Sequence, residues 1–436
     1  MKRSPEWLTA AEDVLIRYCV EFSDVLVDKS KGSYFYTQQG KKVLDFTSGQ
    51  MCSIFGHNHP DIVEALKAGA DSSIHLLSTI LSPPVIELAY ALNDLLPEQL
   101  SRSMFLSTGS ESNEIAIRMA KLYTDGFEVI GLSGSWHGMT AGAQSSTYSL
   151  TRKNYGPAMP GSYMIAAPNS YRCPIKHCKN KCDNTCLQVG ISMVDNQSVN
   201  KYAACIVEPI LSAAGVIELT PDYLTELSKL CKERGLVLIY DEAQTGLGRL
   251  GTNFGFEHSQ VTPDILTLSK TLGGGLPISS VTVSKELEED CFEKGFICVT
   301  SHVSDPLPAR VGLTMLSILV ERDMKSKAKV MGEYLKAQLL LLKDRFECIG
   351  DVRGRGLLLG MEIVKSRMTK EPDSDLGAAI SERCLRNGLS MNIVRIKGYA
   401  SVFRIAPPLT VSREEIDLGV SILDKSIQEC LDELST

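Results

Sequence analysis

The sequence predicts an α/β fold: a large domain built on a mostly parallel sheet, closed by a smaller C-terminal α+β domain. Three observations carry that prediction. Short apolar runs alternate with amphipathic helical stretches through the middle of the chain. Those runs are nearly uninterrupted in their hydrophobicity, as strands are when helices cover both faces of a sheet. Beyond Pro306 the rhythm changes to long helical periodicity followed by well-separated strands. With 436 residues and 47.7 kDa the chain is long enough for two or three domains.

Taken in order, residues 1–45 read as an amphipathic helix and a short hairpin, too little to stand alone, and are expected to pack on the small domain or on a partner subunit. The large domain is expected to span 46–310. Its strands are read at Ser103–Ser107, Glu128–Leu132, Ala203–Glu208, Leu236–Tyr240 and Ile265–Ser269, with helices such as Glu111–Tyr123 and Pro221–Arg234 between them. The small domain, 311–436, continues a helical stretch running from Pro306 to about Phe346. Strands Gly350–Ile363, Leu389–Ile393 and Val402–Ile405 follow, separated by the helix Asp375–Asn387.

Composition excludes several function classes. Hydrophobic residues at 44% and charged residues at 22% are ordinary globular usage, so the chain should fold. A net charge of −7 and the absence of any basic run argue against nucleic acid as a partner. The start, Met1-Lys2-Arg3, runs into Glu6, Glu12 and Asp13 without the apolar core of a secretory signal. The uncharged stretch Val129–Thr151 is too polar to span a membrane, and a cytoplasmic protein is expected. Thirteen cysteines, mostly scattered singly, fit reduced thiols better than a disulfide framework.

The chemistry concentrates at strand ends. Leu236–Tyr240 ends in Asp241-Glu242-Ala243-Gln244, and Ile265–Ser269 delivers Lys270 followed by Thr271-Leu272-Gly273-Gly274-Gly275. Ligands of open α/β sheets bind at the carboxyl edge of the strands. A lysine there is an amine nucleophile for imine chemistry, and a buried carboxylate keeps a pyridine nitrogen protonated. Ser107-Thr108-Gly109-Ser110-Glu111 places capping-box residues at a helix start, whose free backbone N–H groups suit a phosphate. Ser135-Trp136-His137-Gly138 offers an aromatic face to a flat ring. A single strand-end Lys or Asp is ordinarily a solvated loop charge; the conjunction describes pyridoxal 5′-phosphate.

Other motifs read more plainly. Gly246-Leu247-Gly248-Arg249-Leu250-Gly251 has dinucleotide-site spacing but opens no helix, so it reads as a glycine-permitted loop. Arg353-Gly354-Arg355-Gly356 reads as a tight turn between apolar strands, and His57-x-His59 before Pro60 as a turn. Cys173, Cys178, Cys182 and Cys186 crowd four thiols into fourteen residues, a candidate zinc or iron–sulfur site, against which stands an inserted surface loop of reduced thiols.

On these residues the chain resembles the class III aminotransferases, pyridoxal-phosphate enzymes of fold type I, and within them the 2,2-dialkylglycine decarboxylase branch. Thr47-Ser48-Gly49-Gln50 and His302-Val303-Ser304-Asp305-Pro306 carry the finer likeness. The resemblance implies that Lys270 bears the cofactor and moves protons, Asp241 pairs with the pyridinium nitrogen, Gln244 lies near the phenolic oxygen and Trp136 stacks on the ring. Thr108, Gly109 and Ser110 would bind the phosphate, joined across a dimer interface by Ser301, with Glu208 also in the cofactor site. Arg404 would fork a substrate carboxylate and Gln50 would hold the carboxylate that departs. An activating potassium ion is implied too, held by Ser78, Ser301, Asp305 and the carbonyls of Leu76 and Val303, an oxygen-only shell suited to a hard cation. Two departures stand out: Ser301 replaces a threonine of that branch and Ala213 a serine near the substrate.

The implied reaction is decarboxylation-dependent transamination of a 2,2-dialkylglycine-type amino acid with a 2-oxo acid such as pyruvate, by a homodimer or dimer of dimers. The alternatives are a plain aminotransferase acting on an ω-amino or α-amino donor, and a catalytically silent scaffold of the same fold.

Overall fold

The computed structural model describes residues 5–18, 22–149, 152–154, 156–173, 175, 182–396 and 400–435. Its centre is a seven-stranded sheet in the order Arg102–Leu106, Ser279–Val283, Ile265–Leu268, Val237–Asp241, Tyr202–Val207, Glu128–Leu132, Ser162–Ile165. Only Ser279–Val283 runs antiparallel to its neighbours. That strand and Ser162–Ile165 were not foreseen; the other five lie within a residue or so of their expected positions.

The parallel strands are buried on both faces, which is why their sequences are continuous apolar runs rather than alternating ones. The helix Gly109–Thr124 lays Ile115, Ala116, Met119 and Ala120 against Val129, Ile206, Val237, Ile239 and Ile265. Thr108 begins it with the expected capping box: its hydroxyl accepts from the Glu111 N–H at 3.3 Å, and Glu111 Oε2 accepts from the Thr108 N–H at 2.9 Å.

Toward the C-terminus three sequence expectations are corrected. The stretch from Pro306 is two helices, Pro306–Glu321 and Met324–Arg345, broken where Asp323 turns left-handed at φ 43°. Gly350–Ile363 is a hairpin of Ile349–Arg355 and Leu358–Ile363, its turn made at Gly356, φ 52°. Leu389–Ile393 divides between two sheets. Leu389–Ser390 pairs in parallel with the N-terminal strand Lys42–Asp45, whereas Asn392–Ile396 joins the antiparallel sheet of Ile349–Arg355, Leu358–Ile363 and Ala400–Ile405. The chain's beginning is thereby stitched onto its C-terminal part. Among the described residues no helix is long and apolar enough to cross a membrane.

Gly332, inside Met324–Arg345, lets that helix meet the hairpin turn, for a Cβ there would strike the Gly356 backbone. Alanine in a helix interior ordinarily stabilises relative to glycine. Here Gly332→Ala is expected to destabilise by about 1–3 kcal/mol, the cost of overpacking against rigid backbone, read as a lower midpoint in denaturant unfolding.

Candidate active site

Asp241 and Lys270 reach the same sheet edge because their strands are parallel neighbours in a register that sets Asp241 beside Thr267. They line a cavity of about 550 Å³ together with Thr108, Gly109, Ser110 and Trp136. Five of the sequence-predicted groups around the cofactor are thus brought together with the predicted lysine.

Asp241 is 4% exposed and fully engaged. Its Oδ2 accepts from Asn113 Nδ2 at 2.7 Å and lies 3.0 Å from His137 Nδ1, while Oδ1 accepts from the Ala243 N–H at 3.1 Å. Asn113 is locked in turn, donating to the His137 carbonyl at 2.8 Å and accepting from Thr267 Oγ1 at 2.7 Å. Sequence reasoning missed Asn113 and gave His137 no role. The signal available was an asparagine on the apolar face of the helix Gly109–Thr124, where an amide must find polar partners.

The helix start expected to take a phosphate offers backbone groups. A Cβ at Gly109 would lie 2.7 Å from Ser269 Oγ, so a side chain there would have to displace Ser269. Gly109 and Ser110 open the helix, so their N–H groups have no intrahelical acceptor. The Ser110 hydroxyl is already used: it accepts from the Met139 and Thr140 N–H groups at 2.8 and 2.9 Å and anchors the loop after Trp136. What Ser110 offers an anion is its amide. Lys270 Nζ has no hydrogen-bond partner within the described residues and stands free in the cavity. A free amine, a buried carboxylate, an aromatic wall and a bare helix start are a donor set that fits pyridoxal 5′-phosphate.

Glu208 accepts from the Trp136 N–H at 2.9 Å and is 3% exposed. Burial raises its pKa, with His137 opposing and Asp241 reinforcing. Arg404, on the strand Ala400–Ile405, has Nη1 3.5 Å from both Ser212 Oγ and Gln244 Oε1 and a buried Nε without a partner. Burial lowers its pKa to about 10, with Glu208 opposing, so it remains charged at neutral pH.

The other predicted residues lie farther out. Gln50 and Ser301 are exposed and outside the cavity wall, though Cys52, two residues on from Gln50, lines it. Asp305, the proposed potassium ligand, sits with His75 Nδ1 at 2.6 Å and His302 Nδ1 at 2.7 Å on its two oxygens. Leu76, Ser78 and Val303 occupy the same two segments. Cys178 lies outside the described residues. Cys173, Cys182 and Cys186 are free thiols, and burial pushes Cys186 up to about 11, helped by Cys182 and Cys173. Among the described residues, His75, His302 and Asp305 form the one set of three metal-type ligands in mutual reach.

An α/β sheet with a lysine and a buried aspartate at adjacent strand ends, facing a helix start, defines a pyridoxal-phosphate enzyme. The comparisons place it further. Residues 19–427 match the family Aminotransferase class-III, and the chain belongs to the class III aminotransferases. It is 47% identical over 418 residues to an uncharacterised aminotransferase of Schizosaccharomyces pombe, covering 96% of this chain and 93% of that one. It is 30% identical to the leucine/methionine racemase of Thermococcus litoralis, with 96% of each covered. A Bacillus anthracis aminotransferase structure superposes with a TM-score of 0.91 at 28% identity, over 98% of this chain and 99% of that one.

Two outcomes are expected. Asn113→Ala leaves Asp241 short of a hydrogen bond to its charge, worth about 1.5–3 kcal/mol, so kcat/KM should fall roughly 10- to 150-fold with the cofactor still bound. Glu242, fully buried beside Asp241, has its pKa raised to about 7 by burial, against bonds from the Gly255 and Phe256 N–H groups. A raised carboxyl pKa favours folding below the unfolded value and loses that contribution as pH climbs to the folded one. Stability should therefore decline between about pH 4.5 and 7, and Glu242→Gln should flatten the slope by up to about 1.4 kcal/mol per pH unit in denaturant titrations.

Proposed function

We propose that this aminotransferase carries out decarboxylation-dependent transamination. A 2,2-disubstituted amino acid releases CO2 and a ketone, and a 2-oxo acid such as pyruvate collects the amino group as L-alanine. Arg404 is the observation that carries the reading: a buried guanidinium with a partnerless Nε and two weak contacts is a receptor awaiting a carboxylate. That selects α-amino acids over simple amines. The leucine/methionine racemase among the relatives bears the names of two such substrates.

When bound, pyridoxal 5′-phosphate supplies an electron sink for the pair left at the substrate's α-carbon. Lys270 would hold it and, as an amine in the cavity, could hold or pass a proton at the substrate's α-carbon. Asp241, oriented by Asn113 and His137, would pair with the ring nitrogen. Trp136 would cover a ring face, and the Gly109 and Ser110 amides would hold the phosphate. Gln50 would donate to the carboxylate that departs in the decarboxylating half-reaction, and Arg404 would grip the carboxylate of the 2-oxo acid and of alanine in the transamination half. A dimer completes the site through Ser301. The segments joined by His75 and His302 expose Ile74, Leu77, Ile80, Leu81, Ile297 and Val299, an apolar surface suited to a partner.

A plain α-amino acid aminotransferase is the second reading, favoured by the exposure of Gln50 outside the cavity wall. Incubation of the holoenzyme with 2-aminoisobutyrate and pyruvate separates the two. Acetone, CO2 and alanine in equal amounts support decarboxylation; alanine formed from ordinary α-amino donors without CO2 leaves the plain aminotransferase. Gln50→Ala should lower CO2 release roughly 10- to 150-fold, the effect of one hydrogen bond to a charged group of about 1.5–3 kcal/mol, and alanine–2-oxo acid exchange less. Potassium should raise activity and sodium depress it if the Asp305 shell holds a cation.

A further inference from the structure

Four successive residues, Ser48, Gly49, Gln50 and Met51, have φ of 48°, 53°, 64° and 66°. Three of them are not glycine, and a non-glycine left-handed residue persists only where its surroundings hold it. The holding groups are identifiable. Asp45, 2% exposed, accepts from the Thr47 N–H and hydroxyl at 2.9 and 2.6 Å and from the Gly49 N–H at 2.9 Å, with His57 Nε2 at 2.8 Å. Met51 is buried among Ile210, Val216, Leu250, Leu358 and Ala406. The other end of the restraint is the chain that carries Arg404. Ser48 Oγ donates to the Ala406 carbonyl at 2.5 Å, and the Ala406 N–H donates to the Phe46 carbonyl at 2.8 Å.

We propose that Ser48 and Asp45 are positioning residues that fasten the left-handed turn bearing Gln50 to Ala406, two residues from Arg404, so that the two carboxylate-handling groups move as one unit. The inference rests on the roles assigned to Gln50 and Arg404 above. Gln50 follows the clipped serine by two residues and Arg404 precedes the clipped alanine by two. Neither side chain makes a short hydrogen bond of its own, so their relative placement depends on the backbone beneath them. Asp45 pins the entry to the turn and Ser48 its first residue. Releasing the clip lets the turn relax toward ordinary backbone geometry and removes Gln50 from register with Arg404.

The test compares wild-type holoenzyme with Ser48→Ala and Ser48→Gly on an α-amino acid, on 2-aminoisobutyrate, and on isopropylamine, a donor with no carboxylate. Glycine tolerates the left-handed conformation yet cannot make the bond to Ala406, so Ser48→Gly keeps the turn's backbone permitted while removing the clip. Both variants should lose roughly fivefold in kcat/KM for the carboxylate-bearing donors, carried mainly in KM for the α-amino acid and in kcat for CO2 release, as expected for one hydrogen bond. Turnover of isopropylamine should change less than twofold, and the cofactor's absorption should be retained. Equal losses on all three donors, or no loss on any, would overturn the proposal. If wild type releases no CO2, the decarboxylation reading fails by itself, and the positioning role is still judged by the α-amino acid against the amine. Asp45→Asn keeps a side-chain acceptor for Thr47 and should give the same pattern, smaller in size.

Discussion

The buried carboxylate of Asp241 is the constraint on which the rest of this structure depends. A carboxylate 4% exposed inside an apolar sheet is costly unless its oxygens find hydrogen-bond partners. Three groups supply them: the amide of Asn113, the imidazole of His137 and the backbone N–H of Ala243. Each comes from a different element, and satisfying all three fixes where those elements lie. The helix Gly109–Thr124 must present its fifth residue to the end of Val237–Asp241, which puts its bare N-terminal amides at the rim of the same cavity. The Trp136–Gly138 loop must turn inward, held by Ser110 on one side and Glu208 on the other. The bare helix start, the Trp136 wall and the buried carboxylate are therefore consequences of a single solvation problem.

That dependence explains what the sequence could reveal. Lys270 and Asp241 were legible because each ends an apolar strand, and strand ends are readable from hydrophobicity alone. The Thr108 capping box was legible because its two partners are three residues apart. Asn113 was not read: its place on the apolar face of its helix marks an amide that needs partners, but those partners lie 24 and 128 positions away and the sequence does not name them. Ser279–Val283 was missed: it opens on two serines, and only Val281, Thr282 and Val283 carry the β-branched signal of a strand. The division of Leu389–Ile393 between two sheets could not be read, because its cause is the distant strand Lys42–Asp45 claiming the first two residues.

The left-handed turn at Ser48–Met51 was recognised by its residues but not by its conformation. A lone glycine at position 49 predicts one left-handed residue, not four. The other three are imposed by Asp45 from below, by the Met51 pocket and by the Ala406 clip. Strain of this kind is held only where surrounding contacts outnumber the local preferences, and here those contacts come from both ends of the chain. A part of the site that propensity would assign elsewhere is thus the part most dependent on the completed fold.

Arg249 shows how the two sheets are kept in a fixed relation while the site between them stays open. Its guanidinium is fully buried and finds no carboxylate; Nη1 instead donates to the carbonyls of Leu357 and Pro407, while Nε and Nη2 have no partner. Burial lowers its pKa to about 9, so at neutral pH it keeps its charge. The Gly246–Gly251 loop that carries it lies just past Asp241 and Gln244, and both carbonyls belong to the C-terminal part, one at the hairpin turn and one three residues past Arg404. A carboxylate partner would neutralise the arginine locally. Carbonyl partners spread the restraint over two separate segments of backbone, so the loop is held at the junction through its charge. Arg404 and Asp241, the groups proposed to recognise substrate and polarise cofactor, then share one frame, although they arise on different sheets.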